Sequence, residues 1–247
     1  PGMGAAFRSH PGDVAAGALA AAFGMGPLRA GASLLYLDLG EVEERVPDPA
    51  VGGQGGMATG RSFGGGELAL GLALATALGP LDVGAGGTVI RSGWAGDGEV
   101  AFAGDVGVRA RLMEGRLGLA VAVLGLGPEA GPGADAPLPR LVRAGAEVRV
   151  GGGVAAPRAL LVAEARGPED ALRPAAGIEL RVASSERAAL LLRAGWRGDL
   201  NGSDALSPLG VGGTLELGAW RLDYAFRGAG LLGDAHEVGF RWVPASR

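Results

Sequence analysis

Apolar and polar residues alternate along most of this chain with a period of two. In the segment 219–242, AWRLDYAFRGAGLLGDAHEVGFRW, aliphatic and aromatic side chains occupy every second position, and mostly charged or small residues stand between them. The same alternation recurs in segments 142–150, 176–182 and 188–197, and leucines fill alternate positions from 68 to 74. A period of two places successive side chains on opposite faces of a β-strand. The pattern therefore predicts strands with one apolar and one polar face.

Fourteen strands are predicted from this alternation and from the turn residues between them. They span 3–9, 14–24, 27–38, 66–78, 81–91, 99–113, 116–126, 139–150, 158–166, 173–183, 187–197, 208–217, 220–227 and 235–243. Strands of globular proteins are usually about 5–6 residues long, whereas a tilted strand needs about 9–11 residues to cross a bilayer. The length of most of these segments favours a membrane-spanning sheet.

The connections between the predicted strands largely alternate between tight turns and longer segments. Tight turns fall at 24–26, 79–80, 114–115 and 218–219, and the longer polar segments are 39–65, 92–98, 127–138, 198–207 and 228–234. The segment 151–157 is longer than this pattern requires. Alternate connections of an up-and-down sheet lie at opposite ends, and outer-membrane barrels have short periplasmic turns and longer external loops. We therefore predict an all-β, antiparallel up-and-down transmembrane β-barrel of about 14 strands, formed by one domain over residues 1–247.

A closed barrel explains why one face is apolar and the other carries charges of both signs. In lipid every backbone N–H and C=O must be paired within the protein, so a spanning sheet has to close on itself. The apolar face then meets lipid, and the charged residues of the other face lie in the lumen. These are Arg109, Arg111, Arg143, Glu147, Arg149, Glu179, Arg181, Arg193, Arg221, Asp223, Glu237 and Arg241.

Three arrangements of that inner face stay open at this point. Mutual pairing of the charges that fills a narrow lumen is favoured over a charged selectivity lining. Small residues on the same face leave room for an internal cavity that holds a hydrophobic ligand. At the membrane boundaries, we expect Trp220 and Trp242 on the periplasmic side and Tyr36 and Trp196 on the external side, as in the aromatic girdles of barrels. A soluble all-β binding domain is a further alternative, and its apolar faces would pack against each other.

The composition excludes several classes of function. There are 49 glycines, which disfavour long helices, and the net charge of −4 carries no basic stripe for nucleic acid. Cysteine is absent and all 22 basic residues are arginines, so thiolate chemistry, a phosphate-loop lysine and a Schiff-base lysine are impossible. We expect no cofactor and no partner nucleic acid.

The remaining polar motifs do not predict catalysis or a metal site. His236 follows Asp234 and could join Ser203 or Ser207 in a hydrolase triad, but an interfacial histidine is the simpler interpretation. The sequence DLNGSD at 199–204 resembles a calcium loop but lacks its glycine spacing and its final glutamate. The acidic run EVEERVPDP, with Glu41, Glu43, Glu44 and Asp48, is interpreted as a solvated loop, with a partner-binding or metal-collecting surface as the alternative. The glycine stretch 51–66 is interpreted as a flexible loop.

Three blocks of this sequence resemble the PorV/PorQ family of outer-membrane proteins. They are LDYAF at 222–226 followed by LGDAHEVGFRW at 232–242, GPLRAGASLLYLDLGEVEE at 26–44, and GELALGLALATALGPLDVGAGGTVIRS at 66–92. The order of the blocks is collinear with the family over residues 14–242. The family's Gly-Met-Gly-rich N-terminal block and its Asn-Pro-Ala-Gly motif are not found, and Ala235 and Glu237 stand where the family more usually has Thr or Asn and Arg.

The resemblance implies a fourteen-stranded barrel, related in shape to long-chain fatty-acid transporters, in the bacterial outer membrane. Some members serve type IX secretion, where they bind the C-terminal signal domains of secreted proteins and carry them to a cell-surface attachment complex. The first functional hypothesis is therefore a non-enzymatic carrier of secreted proteins. The second is transport of small hydrophobic molecules across the outer membrane. The resemblance also implies that the family's N-terminal segment is missing from this chain.

Overall fold

The computed structural model describes residues 1–10, 13–47, 49–51, 56–94, 97–127, 140–151, 159–167, 173–185, 187–198, 207–228 and 234–244, and for 159–167 the backbone alone. Fourteen strands occupy most of these residues. They are β1 (Gly2–Ser9), β2 (Ala15–Met25), β3 (Leu28–Pro47), β4 (Gly56–Leu78), β5 (Leu81–Trp94), β6 (Asp97–Leu112), β7 (Leu117–Leu126), β8 (Leu141–Val150), β9 (Ala159–Gly167), β10 (Arg173–Ser184), β11 (Ala188–Arg197), β12 (Leu209–Leu217), β13 (Trp220–Gly228) and β14 (Asp234–Trp242).

Every strand pairs antiparallel with its neighbours in the chain, and the first strand closes the sheet onto the last. The seam between β1 and β14 runs in continuous register from Met3 opposite Trp242 to Ser9 opposite His236. The prediction of an antiparallel up-and-down barrel of about 14 strands is confirmed. All fourteen predicted strands exist, and most of their ends agree with the structure within two residues.

On the strands whose side chains are described, the outer surface of the barrel consists mainly of exposed apolar side chains. Leu72 is 71% exposed, Phe102 58% and Phe7 57%, and each lies in the register row that faces away from the lumen. Large exposed hydrophobic side chains follow the same rows on the other strands whose side chains are described. Such a surface is unfavourable in water and favourable in lipid. The apolar faces therefore do not pack against each other, as a soluble all-β domain would require.

The buried side chains lie on the opposite, inner face. Among the described residues, the buried hydrophobic side chains are Ala189 and Leu191, and Thr214 is the buried polar one. Leu191 lies opposite Thr214, which in turn lies opposite Asp223, so they belong to one inner row that crosses three strands. None of the described residues forms a helix that is long and apolar enough to cross a membrane.

Short turns join the strands at one end of the barrel. Gly26, Gly79 and Gly218 have φ values of +62°, +63° and +58°, a left-handed conformation that glycine adopts without steric cost. A short 3₁₀ turn at Met113–Gly115 makes a further connection at this end, with Gly115 at +82°. These turns lie where the alternation of connections predicts the periplasmic end.

Two of the predicted loops at the opposite end are wrong, because much of their length continues the sheet. Apart from a short 3₁₀ turn at Pro49–Val51, the described residues of segment 39–65 extend β3 and β4, which stay paired from Glu41 opposite Gly64 to Pro47 opposite Gly56. Segment 92–98 is almost wholly strand, since β5 runs to Trp94 and β6 starts at Asp97. β2 stops pairing with β3 at Asp38, and β5 stops pairing with β4 at Gly65. Each strand of the β3–β4 hairpin therefore continues for nine residues beyond its last contact with the neighbouring strand, which is at most about 30 Å at about 3.3 Å per residue.

Candidate functional site

The lumen has two walls of different chemistry. The inner rows of β2 to β5 carry mainly alanine and glycine, with Ser33 and Thr88 near the middle. The inner rows of β6, β8 and β10 to β14 carry arginines and carboxylates. The twelve charged residues predicted to face the lumen all lie in these inner rows, as the register of the strands places them.

Among the described residues, Asp223 is the centre of the largest ion cluster on the charged wall. One carboxylate oxygen accepts a hydrogen bond from Arg241 Nη2 at 2.7 Å and one from Arg193 Nη1 at 3.3 Å, and the other accepts from Arg241 Nε at 2.7 Å. The buried hydroxyl of Thr214 donates to the same carboxylate. Arg193 also donates to Glu179 at 2.6 Å. Five side chains from β10 to β14 are therefore joined through one acid.

Smaller groups of ion pairs occupy the lumen towards the turn end. Glu216 accepts from Arg181 and from Arg221, each at 3.0 Å. Glu147 pairs with Arg109 and, at 3.0 Å, with Arg149. One carboxylate thus pairs with two guanidinium groups in each case, and the contacts of Arg109 with Glu147 and of Arg181 with Glu216 each bridge strands that are two apart in the barrel.

Further pairs involve acids and arginines that the sequence analysis did not select. Arg111 pairs with Asp82 at 2.8 Å, and Arg8 on β1 pairs with Glu237 on β14 across the closing seam. Arg143 also makes a polar or electrostatic contact. Cross-strand register, which the sequence does not reveal, decides these partners.

A cavity of about 490 Å³ lies against the small-residue wall. It is lined mainly by alanine and glycine residues of β2 to β6, and Leu124 and Ala122 of β7 also line it. The polar side chains that line it are those of Ser33, Thr88 and Asp105. Among the described lining residues, Asp105 is the one that can ionise. The cavity is thus predominantly apolar and several strands wide.

A second cavity of about 980 Å³ lies against the charged wall. Arg8, Glu179, Arg193, Asp223 and Glu237 are among its lining residues, and His10 lies at its loop end. Burial lowers the pKa of His10, and the nearby guanidinium groups lower it further against the opposing effect of the Glu237 carboxylate. The imidazole is therefore neutral at pH 7 and adds no charge to the mouth of this cavity.

The four predicted interfacial aromatics lie at the two ends of the outer surface. At the turn end, Trp220 and Trp242 lie 6.2 Å apart between ring centroids, and Trp220 stacks on Phe240 at 5.0 Å. At the opposite rim, Tyr36 lies two residues before Asp38, where β2 stops pairing with β3, and Trp196 is next to the last residue of β11. This is the arrangement that aromatic girdles of membrane barrels show.

An aromatic pair that the sequence analysis missed lies at the mouth of the barrel. Trp94 packs edge-to-face on Phe63 with 5.7 Å between ring centroids, at the base of the projecting hairpin. A side chain at Gly65 would put its Cβ 2.0 Å from the Trp94 ring, so this glycine lets the indole lie flat on β4. Sequence patterning could not have found this contact, because the apolar alternation stops at the predicted end of β5.

The side chains of the possible hydrolase triad have other roles where they are described. His236 lies in an outer row, and its Nδ1 is 2.9 Å from the hydroxyl of Tyr224. The Ser207 hydroxyl accepts a hydrogen bond from the backbone N–H of Leu209 at 3.2 Å. Ser203 and the calcium-like segment 199–204 lie outside the described residues. His236 is thus an interfacial residue, as its simpler interpretation proposed.

The acidic run forms hydrogen bonds along the projecting hairpin. The Thr59 and Ser62 hydroxyls donate to Glu44 and Glu41 at 2.6 Å and 2.8 Å, and Arg45 pairs with Glu43 at 3.0 Å. Asp48 and residues 52–55 lie outside the described residues. The acids that were interpreted as a solvated loop therefore lie on a paired β-ribbon, with hydroxyl and guanidinium partners.

No family model and no curated protein match this sequence. Solved structures of bacterial outer-membrane proteins do match the fold. The Ralstonia pickettii toluene transporter TbuX superposes with a TM-score of 0.62 at 10% identity, covering 99% of this chain and 89% of that one. The Pseudomonas putida toluene transporter TodX gives 0.57 at 9% identity, with coverages of 97% and 86%. The Acinetobacter baumannii outer membrane protein Omp33 gives 0.54 at 10% identity, with coverages of 98% and 96%.

These likenesses concern the fold. Together with the apolar exterior and the closed sheet, they identify a transmembrane β-barrel of the bacterial outer membrane, which confirms the predicted localisation. Membership of the PorV/PorQ family stays a prediction.

Proposed function

We propose that this barrel is an outer-membrane channel for small hydrophobic molecules. The observation that carries the proposal is the cavity of about 490 Å³ against the alanine and glycine wall. Ligand pockets of proteins typically have about 300–1,000 Å³ and are mostly apolar, and a cavity of about 150 Å³ already accepts benzene. Of the two functional hypotheses from the sequence, the second is thus the better supported.

The two walls of the lumen have different roles in such a channel: the charged wall joins the strands, and the small-residue wall leaves space for the cargo. On the charged wall, the ion pairs centred on Asp223, Glu147 and Glu216 occupy the lumen and join the strands. On the opposite wall, inner residues such as Ala20, Ala73 and Gly86 leave space and present little polar surface to a passing molecule. Two of the similar solved structures, TbuX and TodX, are toluene transporters, which supports a hydrophobic cargo for this barrel too.

Filling the cavity is expected to stop transport without unfolding the barrel. Ala20 and Ala73 point into the lumen and are exposed there, so the double variant Ala20→Trp/Ala73→Trp places two indole rings in the passage. We expect uptake of labelled toluene and 1-octanol, by Gram-negative cells that carry the barrel in their outer membrane, to fall at least about tenfold towards the level of cells without it.

The matched control is Ala30→Trp, which adds the same ring to the outer surface. Ala30 lies opposite Phe23 and Leu74 in an outer row, so its replacement leaves the lumen open. Faster migration of unboiled than of boiled protein in SDS gels checks that all variants are folded. Unchanged uptake by a folded double variant would show that the cavity is not the route.

A carrier of secreted proteins is the second candidate, and the projecting β3–β4 hairpin is the observation that favours it. Its two strands leave both outer edges unpaired beyond Asp38 and Gly65, where a partner strand can add to the sheet. Val42 and Met57 are 47% and 52% exposed on this hairpin. A carrier would use this surface, and the lumen would have no part in recognition.

Trimming the hairpin tests the carrier hypothesis separately. In the trimmed variant, a Gly-Ser turn replaces residues 41–64, and the barrel strands stay intact. If the barrel is a carrier, the purified wild type binds the C-terminal signal domain of a type IX secreted protein, and trimming abolishes that binding. Absence of binding to the wild type, in a titration up to high micromolar concentration, contradicts the carrier hypothesis. Uptake of toluene by the trimmed variant reports on the channel hypothesis independently.

A further inference from the structure

We propose that the cavity selects neutral hydrophobic molecules over carboxylates of similar size, and that Asp105 is the residue that sets this preference. This inference rests on the proposed channel function and specifies its substrate class. It runs against the shape likeness to fatty-acid transporters noted from the sequence. It follows from the position, the hydrogen bonding and the charged surroundings of one side chain.

Asp105 lies at an irregularity of the barrel wall. The pairing of β6 with β7 jumps from Gly104 opposite Leu126 to Val106 opposite Val123, so β7 carries one extra residue at this point. Gly125 takes up the distortion with a φ of +75°. Its backbone N–H, which the broken ladder leaves free, donates to Asp105 Oδ1 at 2.9 Å. The carboxylate is therefore fixed in place by the bulge that it stabilises.

This position puts the carboxylate on the cavity surface. Asp105 lies opposite Gly86 in an inner row, and both residues line the cavity together with Leu124 from the bulge. Gly86 has no side chain to cover the acid from the neighbouring strand. Oδ1 of the carboxylate accepts the hydrogen bond from Gly125, and the carboxylate lines a predominantly apolar cavity.

No described arginine compensates this charge at the cavity surface. Among the described lining residues, Asp105 is the ionisable one, and it forms no ion pair with any of the described side chains. Arg109, four positions further along β6, is held by Glu147. Arg143 on β8 is not one of the cavity-lining residues. A carboxylate ligand would thus meet an anion in a predominantly apolar space.

Like charges at close range in such a space repel strongly, and an unpaired anion is also costly to desolvate. Neutral molecules avoid both costs. Hydroxyl-bearing ones gain in addition, because an O–H group can donate to Asp105, and Ser33 and Thr88 supply further hydrogen-bonding groups. The preferred cargo is therefore a hydrocarbon or a hydrophobic alcohol or phenol.

A paired uptake experiment at pH 7.5 tests the inference with 1-octanol and octanoate, which share their chain length. Wild-type barrels in the outer membrane are expected to raise 1-octanol uptake at least about tenfold more than octanoate uptake. The variant Asp105→Asn keeps an oxygen that accepts from Gly125 and removes the charge. We expect it to raise octanoate uptake by about tenfold and to leave 1-octanol uptake within about twofold of wild type.

The control variant Glu99→Gln removes the same charge from the same strand. Glu99 lies opposite Ser92 in an inner row near the mouth and is not a cavity-lining residue. It should leave the ratio of 1-octanol to octanoate uptake unchanged. Heat-modifiable gel mobility again verifies folding.

The outcomes separate this inference from the channel function itself. If the wild-type barrel takes up neither 1-octanol nor octanoate, the proposed channel function is contradicted. Uptake of both at similar rates, or a preference for octanoate, would overturn the selectivity and leave a channel. An equal rise in octanoate uptake with Glu99→Gln would show that net charge at the mouth, and not Asp105, controls selection.

Discussion

Replacing Leu72 with arginine is expected to reduce the free energy of unfolding of the barrel in lipid by about 2–4 kcal/mol. Leu72 lies near the middle of the membrane-spanning part of β4 and is 71% exposed on the outer surface. Its neighbours across the sheet are Ala32 and Gly87, which offer neither a carboxylate nor a polar side chain to the guanidinium. The charge therefore has to lie in hydrocarbon or draw water into it.

The matched control is Ala73→Arg, one residue further along the same strand. Ala73 faces the lumen beside Gly31 and Gly86, so the same guanidinium lies in a space that water can enter. We expect it to cost less than about 1 kcal/mol. Guanidinium-chloride unfolding in lipid bilayers, followed by tryptophan fluorescence, measures both values. Equal costs, or a larger cost for Ala73→Arg, would contradict the assignment of the apolar face to lipid.

Asp223→Ala is expected to have the second largest effect, a loss of about 1–3 kcal/mol in the free energy of unfolding. The substitution removes the common acceptor of Arg193, Arg241 and Thr214. Thr214 is only 2% exposed, so its hydroxyl would lose its partner away from water. The two guanidinium groups are about 40% exposed, which lets water offset part of the loss and keeps the figure below that of a fully buried ion pair.

Glu43→Gln is the comparison for that result. Its partner Arg45 lies on the projecting hairpin, and the two side chains are 48% and 61% exposed, so the loss should stay below about 0.5 kcal/mol. The same unfolding experiment serves for both variants. If Asp223→Ala costs no more than Glu43→Gln, the ion cluster fills the lumen without stabilising the strands around it.

The prediction of strands succeeded because the alternation has a physical cause at every position. Lipid on one side and a polar lumen on the other impose opposite demands on neighbouring residues, so Leu70 and Leu72 had to alternate with Ala69 and Gly71. The charged positions from Arg109 to Arg241 were assigned to the inner face on the same grounds.

The prediction of loops failed in segments 39–65 and 92–98, which lie beyond the membrane, because neither face of a strand has to be apolar there. Beyond the membrane both faces of the β3–β4 hairpin meet water, so the acidic run and the glycine stretch lose their apolar alternation although their backbones remain paired. Trp94 and Phe63 belong to this region, and their contact depends on Gly65 lying beneath the indole. The composition of segment 39–65 favoured a flexible loop, but hydrogen bonds between β3 and β4 hold most of its described residues in a hairpin.

The sequence alone determined the fold class, the number of strands, the end with short turns and the face that meets lipid, because each of these depends on residues that are neighbours in the chain. The tertiary structure alone decided the seam between β1 and β14, the partners of each charged residue and the position of Asp105 on the cavity surface. These features depend on strand register and barrel closure, which bring residues such as Arg8 and Glu237 together across 229 positions. The candidate site is built from such contacts, so it became visible only in the folded barrel.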